Sequence, residues 1–126
     1  MLLFEEKTTI EKVCIVTGAS EGIGAAIVRE LALEGHMRVV FCARREEKLK
    51  ELARKLEVEG CPSSNLLPVV CDVTQISEVQ YMLDRTMETY GTVDVLINNA
   101  GCMYYQMIKN GPTKVSCFYY VKTAFS

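Results

Sequence analysis

Between residues 12 and 101, short apolar runs alternate with longer amphipathic stretches. The runs "VCIV" (13–16), "RVVFC" (38–42), "LLPVVC" (66–71) and "VDVLIN" (93–98) are continuous and largely β-branched or aliphatic, as strands covered on both faces must be. The first intervening stretch has a helical period, with Ile23, Ala26, Ile27 and Leu31 expected on one face and Gly35 as its stop. The second, "EEKLKELARKLEVEG", places Leu49, Leu52, Ala53 and Leu56 on one stripe and ends at Gly60. In the third, Thr74 is the expected N-cap, the expected stripe is Ile76, Val79, Leu83, Met87 and Tyr90, and Gly91 is the stop.

The resulting order β-α-β-α-β-α-β calls for an α/β fold with a parallel sheet and right-handed crossovers. Pro68 adds a constraint. It cannot donate a ladder hydrogen bond, so the third strand belongs at a sheet edge. A strand order of 3-2-1-4 places it there. Beyond Gly101 the pattern fails: "CMYYQMIKNGPTKVSCFYYVKTAFS" has no clean period and breaks at Gly111-Pro112.

Composition narrows the class. A chain of 126 residues holds one domain, and at 49% hydrophobic residues it has enough apolar side chains for a packed core. A net charge of -2 and a pI near 5.5 argue against nucleic acid or an anionic membrane as the main partner. The six cysteines form no CxxC pair and His36 is the only histidine, so no metal site is expected. Four of the six lie in or next to apolar runs, where a free thiol behaves as a small hydrophobe, and reduced thiols in a cytoplasmic protein are the expectation. The N-terminus is too charged after Phe4 for a signal peptide, and no apolar run reaches membrane-spanning length.

One segment carries chemistry. "TGASEGIG" sets Gly18, Gly22 and Gly24 at a strand-to-helix junction, at the start of a βαβ unit. Gly18 permits a tight turn, while Gly22 and Gly24 let backbone approach a pyrophosphate and let helix approach strand. The helix N-terminus then presents free N–H groups and the positive end of its dipole. The competing reading is an ordinary glycine-rich turn.

The spacing G-x-x-x-G-x-G resembles the cofactor loop of the short-chain dehydrogenase/reductase family. Asp72-Val73 after the third strand is similar to that family's adenine-contacting pair, and Asn98-Asn99-Ala100-Gly101 to its NNAG motif. The resemblance covers about residues 10 to 103. It implies a Rossmann-like doubly wound parallel sheet, truncated here after the fourth strand, and a nicotinamide dinucleotide as ligand. By that resemblance Gly18, Ser20, Glu21, Gly22, Ile23 and Gly24 surround the phosphates and the adenosine ribose. Asp72 accepts from the adenine amino group and Val73 lies against the ring. Asn99, Ala100 and Gly101 line the nicotinamide-side ribose, and Asn98 ties the fourth strand to its neighbours. For Asp72 the alternative is a turn or capping carboxylate.

Charge at the end of the second strand bears on the cofactor. NAD-users of such folds place a carboxylate there; here the position falls at Ala43, followed by Arg44 and Arg45. An arginine fork holds a 2′-phosphate bidentately, so NADP(H) is favoured over NAD(H). The alternative is a solvated helix start in which these arginines pair with Glu46 and Glu47. Glu21 is a departure, because many NADP-users of the family carry a basic residue there.

In the family, a tyrosine and a lysine one helical turn later handle the proton, with an upstream serine. Tyr105 and Lys109 have the spacing but follow Gly101 too closely. The window for the serine holds Gly91, Thr92 and Val93, and four residues before Lys122 stands Phe118. No catalytic residue is therefore assigned. Residues 1–11 read as an N-terminal extension, 12–101 as the dinucleotide-binding half-domain and 102–126 as a divergent tail. "KVS" at 114–116 is what translation through a splice donor gives, so for a eukaryotic source roughly the last dozen residues are expected to be read from an intron or alternative exon.

The functional expectation is the NADP(H)-binding portion of an oxidoreductase acting on a small carbonyl or alcohol, inactive as this chain. The alternative is a non-catalytic NADP(H)-binding module or an unstable isoform that pairs with an intact relative. A substrate is expected only in a complete chain, and homo-oligomers are usual in the family. Unless the tail covers it, the outer edge of the fourth strand is left unpaired, which would make the free chain poorly soluble.

Overall fold

The computed structural model describes residues 11–99 and the backbone of 119–121. Strand β1 (Val13–Thr17) leads through the glycine loop into helix α1 (Gly22–Arg29), which continues as a π-turn over Glu30–Glu34. Strand β2 (Arg38–Ala43), helix α2 (Glu46–Val58), strand β3 (Leu66–Val70), helix α3 (Ile76–Tyr90) and strand β4 (Val95–Ile97) follow. The sheet order is β3-β2-β1-β4, extended by β5 (Tyr119–Val121). The first four strands are parallel: Ile15 pairs with Val40 on one side and Leu96 on the other, and Phe41 with Pro68. Pro68 thus lies on the edge strand, where the lack of an N–H costs no ladder bond.

The two faces of β1 and β2 feed separate cores. Cys14, Val16, Val39 and Phe41 pack with Val28 and Ala32 of the first helix and Leu49 and Leu56 of α2. Val13, Ile15, Val40 and Cys42 pack with Leu67 and Val69 of β3 and Met82 of α3. Helices on both faces explain the unbroken apolar strands, because a side chain pointing either way meets protein. Asp94 fixes the position of β4 against β1. Its Oδ2 accepts from the Val13 N–H at 2.8 Å, and its own N–H donates to Val13 O at 2.9 Å.

Four expectations are corrected. The sheet does not end at its fourth strand, because β5 pairs antiparallel with β4, Ile97 opposite Tyr119 and Val95 opposite Val121. The α1 face is as expected at Ile27 and Leu31, which pack against the core, but not at its other two positions. Ile23 is 73% exposed and Ala26 is exposed, whereas Gly24 and Val28 are buried. Small residues at the contact let the helix lie close to the sheet, and the large apolar side chain at its first turn faces outward. The α3 stripe holds at Val79, Leu83 and Tyr90, which pack against the core, but Ile76 and Met87 are 85% and 50% exposed, and Met82 and Thr86 are buried beside it. The Thr86 hydroxyl donates to Met82 O at 2.8 Å, which lets a polar residue sit in the core. Finally, Thr74 does not cap α3. Gln75 holds the N-cap position, and the Thr74 side chain donates to Asp72 Oδ1 at 2.7 Å instead. The α2 stripe is as expected, with Leu49 and Leu56 buried and Leu52 and Ala53 packed beside them. Among the described residues, no helix is long and apolar enough to cross a membrane.

Candidate functional site

The chain runs from β1 outward to β3, then crosses back to lay β4 on the other side of β1. Loops leaving the C-terminal ends of β1 and β4 therefore diverge, and the crevice between them is where open α/β sheets bind ligands. The glycine loop leaves β1 there, and Asn98-Asn99 leaves β4.

Side chains tie the two loops together. The Thr17 hydroxyl donates to Asn98 Oδ1 at 2.9 Å, and Asn99 Nδ2 donates to Gly18 O at 3.1 Å. Asn98 links β4 to its neighbour as the motif led one to expect, and Asn99 holds the glycine loop itself. Gly18 has φ +65°, as does Gly22, a region that side-chain-bearing residues rarely enter. Gly24 is required for a different reason. A Cβ there would lie 2.2 Å from Gly18 O and 2.7 Å from Asn99 Nδ2. A Cβ at Gly22 would have no neighbouring atom within 4 Å, so the backbone of that turn is open on its outer side.

Helix α1 begins at Gly22 with Glu21 as its N-cap, and among the described residues no side chain caps its first amides. Its first turn holds no acidic residue, whereas α2 has Glu46 and Glu47 and α3 has Glu78 in theirs. Among the described residues, the N–H groups and the positive dipole end at the glycine loop thus meet no acidic side chain of the helix's own first turn. The Glu21 carboxylate is turned away from them and meets Arg45 across the loop, Oε2 to Nη2 at 2.7 Å. Sequence reasoning missed this pair because its members are 24 residues apart. The signal was the strand order, since adjacent parallel strands bring their C-terminal ends together. The alternative pairing of Arg45 with Glu46 is not seen: Glu46 meets Lys50 instead, at 3.3 Å.

Arg44 is exposed beside the end of β2. Asp72 is half-buried, and its Oδ1 accepts from both the N–H and the hydroxyl of Thr74, at 2.9 and 2.7 Å. Those two bonds, and more weakly the Arg44 charge, hold its carboxyl below the usual range. Its own N–H donates to Glu78 Oε1 at 2.8 Å. Val73 packs partly into the core on the α3 side, Ser20 is half-buried and Ile23 projects outward. Ala100, Gly101, Tyr105, Lys109 and the tail around 114–116 lie outside the described residues.

A family model described as short chain dehydrogenase matches residues 12–117. Dehydrogenase/reductase SDR family member 11 of Gallus gallus is 40% identical over 103 residues, which is 82% of this chain and 40% of the relative. Among solved structures, an actinorhodin polyketide ketoreductase variant with NADPH is 41% identical, with a TM-score of 0.67 over 73% of this chain and 34% of that one. An alcohol dehydrogenase of Thermococcus sibiricus complexed with 5-hydroxy-NADP is 32% identical, with a TM-score of 0.69 over 84% of this chain and 44% of that one. The chain spans less than half the length of each of these proteins.

Proposed function

Because the chain belongs to the short-chain dehydrogenase/reductase family, we propose that it is the nicotinamide-dinucleotide-binding portion of an oxidoreductase that interconverts a small carbonyl and an alcohol. The observation that carries this reading is the closure of the glycine loop onto the end of β4 through Asn99 and Gly18. It builds a backbone-lined crevice at the switch point of the sheet, next to uncapped helix amides. That set suits a pyrophosphate, which needs N–H donors and close backbone approach.

In this proposal Gly18, Ser20, Gly22, Ile23 and Gly24 hold the phosphates and the adenosine ribose. Asp72 takes the adenine amino group through the oxygen that Thr74 leaves free, with Val73 behind it. Asn99, Ala100 and Gly101 receive the nicotinamide-side ribose. When bound, the nicotinamide supplies or accepts the hydride of the carbonyl–alcohol interconversion. NADP(H) is favoured over NAD(H), because Arg44 and Arg45 follow β2 where a ribose-binding carboxylate would otherwise stand. The two neighbours whose structures hold NADPH and 5-hydroxy-NADP accord with this. We assign no proton transfer to Tyr105 or Lys109, and we place the chain in a reducing compartment on the strength of the free buried thiols of Cys14, Cys42, Cys61 and Cys71.

Calorimetric titration of the chain with NADPH and with NADH tests the reading. Both should bind, NADPH more tightly, and Gly22→Val should weaken both by crowding the open side of the turn. Absence of binding to either nucleotide would refute it. NADPH consumption with a panel of small carbonyls separates an oxidoreductase from a module that binds without turnover, and turnover lost in Tyr105→Phe would restore that tyrosine to the chemistry.

A further inference from the structure

We propose that Cys42 and Cys71 form a redox-active dithiol: a peroxide converts the pair to a disulfide, a thiol reductant reverses this, and the oxidised chain binds its dinucleotide more weakly. The last step rests on the dinucleotide reading above.

Parallel strand pairing brings the two cysteines together. Cys42 lies in β2 opposite Val69 of β3. Cys71 stands two positions beyond Val69, so its side chain falls on the same face of the sheet, and its N–H donates to Ala43 O at 2.9 Å. Both side chains belong to the cluster that packs with Met82 of α3, and they are 0% and 2% exposed. There the Cys42 thiol donates to the Cys71 sulfur. Cys14 and Cys61 belong to the cluster on the opposite face.

The pair also touches both halves of the site. The Gly18 N–H donates to the Cys42 sulfur, and the Ala19 N–H donates to Cys42 O at 3.0 Å. Cys71 leads directly into Asp72. The two sulfurs therefore stand between the loop proposed for the phosphates and the carboxylate proposed for the adenine.

Burial raises both thiols, so oxidation is slow by the standard of an exposed sensor cysteine and needs a small oxidant. The hydrogen bond from Cys42 opposes that rise at Cys71, which makes Cys71 the attacking thiolate. Its sulfur takes one oxygen of hydrogen peroxide, and the other oxygen leaves as water after protonation. The Cys42 sulfur then displaces the hydroxyl of the sulfenic acid, which leaves as a second water with the Cys42 proton. One peroxide is reduced and one dithiol oxidised. Sulfurs in hydrogen-bond contact must still close to about 2.05 Å. Closure draws Cys71 from its place beside Ala43, carries Asp72 with it, and pulls Cys42 from the Gly18 N–H. A bond formed under such strain is readily reduced again, as a regulatory disulfide in a reducing compartment must be.

The test is to treat the chain with hydrogen peroxide, block the remaining thiols with N-ethylmaleimide under denaturant, and map the peptides by mass spectrometry. A peptide linking Cys42 to Cys71, and lost on adding dithiothreitol, is expected. Calorimetric titration with NADPH then reads the consequence. Affinity should fall roughly tenfold or more on oxidation, as the loss of a hydrogen bond to a charged group at Asp72 would give, and should return with dithiothreitol. In Cys42→Ser and Cys71→Ala, peroxide should leave the NADPH affinity unchanged. Cys42 and Cys71 recovered unlinked, or an oxidised chain of undiminished affinity, would overturn the inference while leaving the dinucleotide reading intact. A fall that persists in both variants would overturn it too, by assigning the effect to another residue. A reduced chain that binds no NADPH would instead overturn the dinucleotide reading, and the switch with it.

Discussion

Gly24→Ala tests the site's construction most directly. The new methyl would sit 2.2 Å from Gly18 O, 2.9 Å from Gly18 C and 2.7 Å from Asn99 Nδ2. Two of those atoms are backbone, so the helix or the loop must shift. Overpacking of this kind costs about 1–3 kcal/mol. Displacing Asn99 from Gly18 O removes a hydrogen bond worth about 0.5–1.5 kcal/mol. Alanine offsets up to about 1 kcal/mol of this through its higher helix propensity. The balance is a destabilisation of about 0.5–4.5 kcal/mol, or a fall in Tm of about 2–17 °C for a domain of this size. Thermal unfolding followed by circular dichroism reads it, with Asn99→Ala and the double variant completing a cycle. The double variant should lose less than the sum of the two single losses, because removing Asn99 relieves one of the clashes. A Gly24→Ala chain that melts at or above the wild-type temperature, as helix propensity alone would give, would refute the close approach.

Three further outcomes are expected. Asp94→Ala should destabilise the fold by about 1.5–3 kcal/mol, since a charged acceptor of the Val13 N–H is lost at the β1–β4 junction; an unchanged urea midpoint would show that the strand register is held elsewhere. Asp72 has a carboxyl pKa lowered in the folded chain, by Thr74 foremost. Its contribution is therefore present above the unfolded value of about 3.9 and lost as pH falls through the lower folded one. Asp72→Asn should flatten that acid limb of the stability curve, and an unaltered limb would count against the Thr74 contact. Burial pushes the Cys14 thiol up to about 12 and raises Cys42, Cys61 and Cys71 as well. Ellman's reagent should thus label these four only after denaturant is added; fast labelling of any one in the native chain would show that its burial is transient.

The sequence by itself determined the parts of this protein that depend on short-range periodicity and on residues with one stereochemical use. Continuous β-branched runs announced strands covered on both faces. Pro68 announced the edge, and Leu49, Leu52, Ala53 and Leu56 announced the buried stripe of α2. Gly18, Gly22 and Gly24 announced the loop, because their φ angles and their closeness to neighbouring atoms exclude a side chain. Tertiary structure decided which face of α1 and α3 turned inward. There Gly24, Val28 and Ala32 join Ile27 and Leu31 at the contact, and Met82 and Thr86 join Val79, Leu83 and Tyr90. Ile23, Ile76 and Met87 misled because a period fixes the width of an apolar stripe but not the depth at which the helix docks. It also decided every pairing that spans the sheet: Asp94 with Val13, Asn99 with Gly18, Thr17 with Asn98, and Glu21 with Arg45. Each joins residues far apart in the chain that only the strand order 3-2-1-4 brings together, so no local signal marked them. The antiparallel β5 on the edge of β4 belongs with them, because a strand with no periodicity of its own is specified by the unpaired edge it meets.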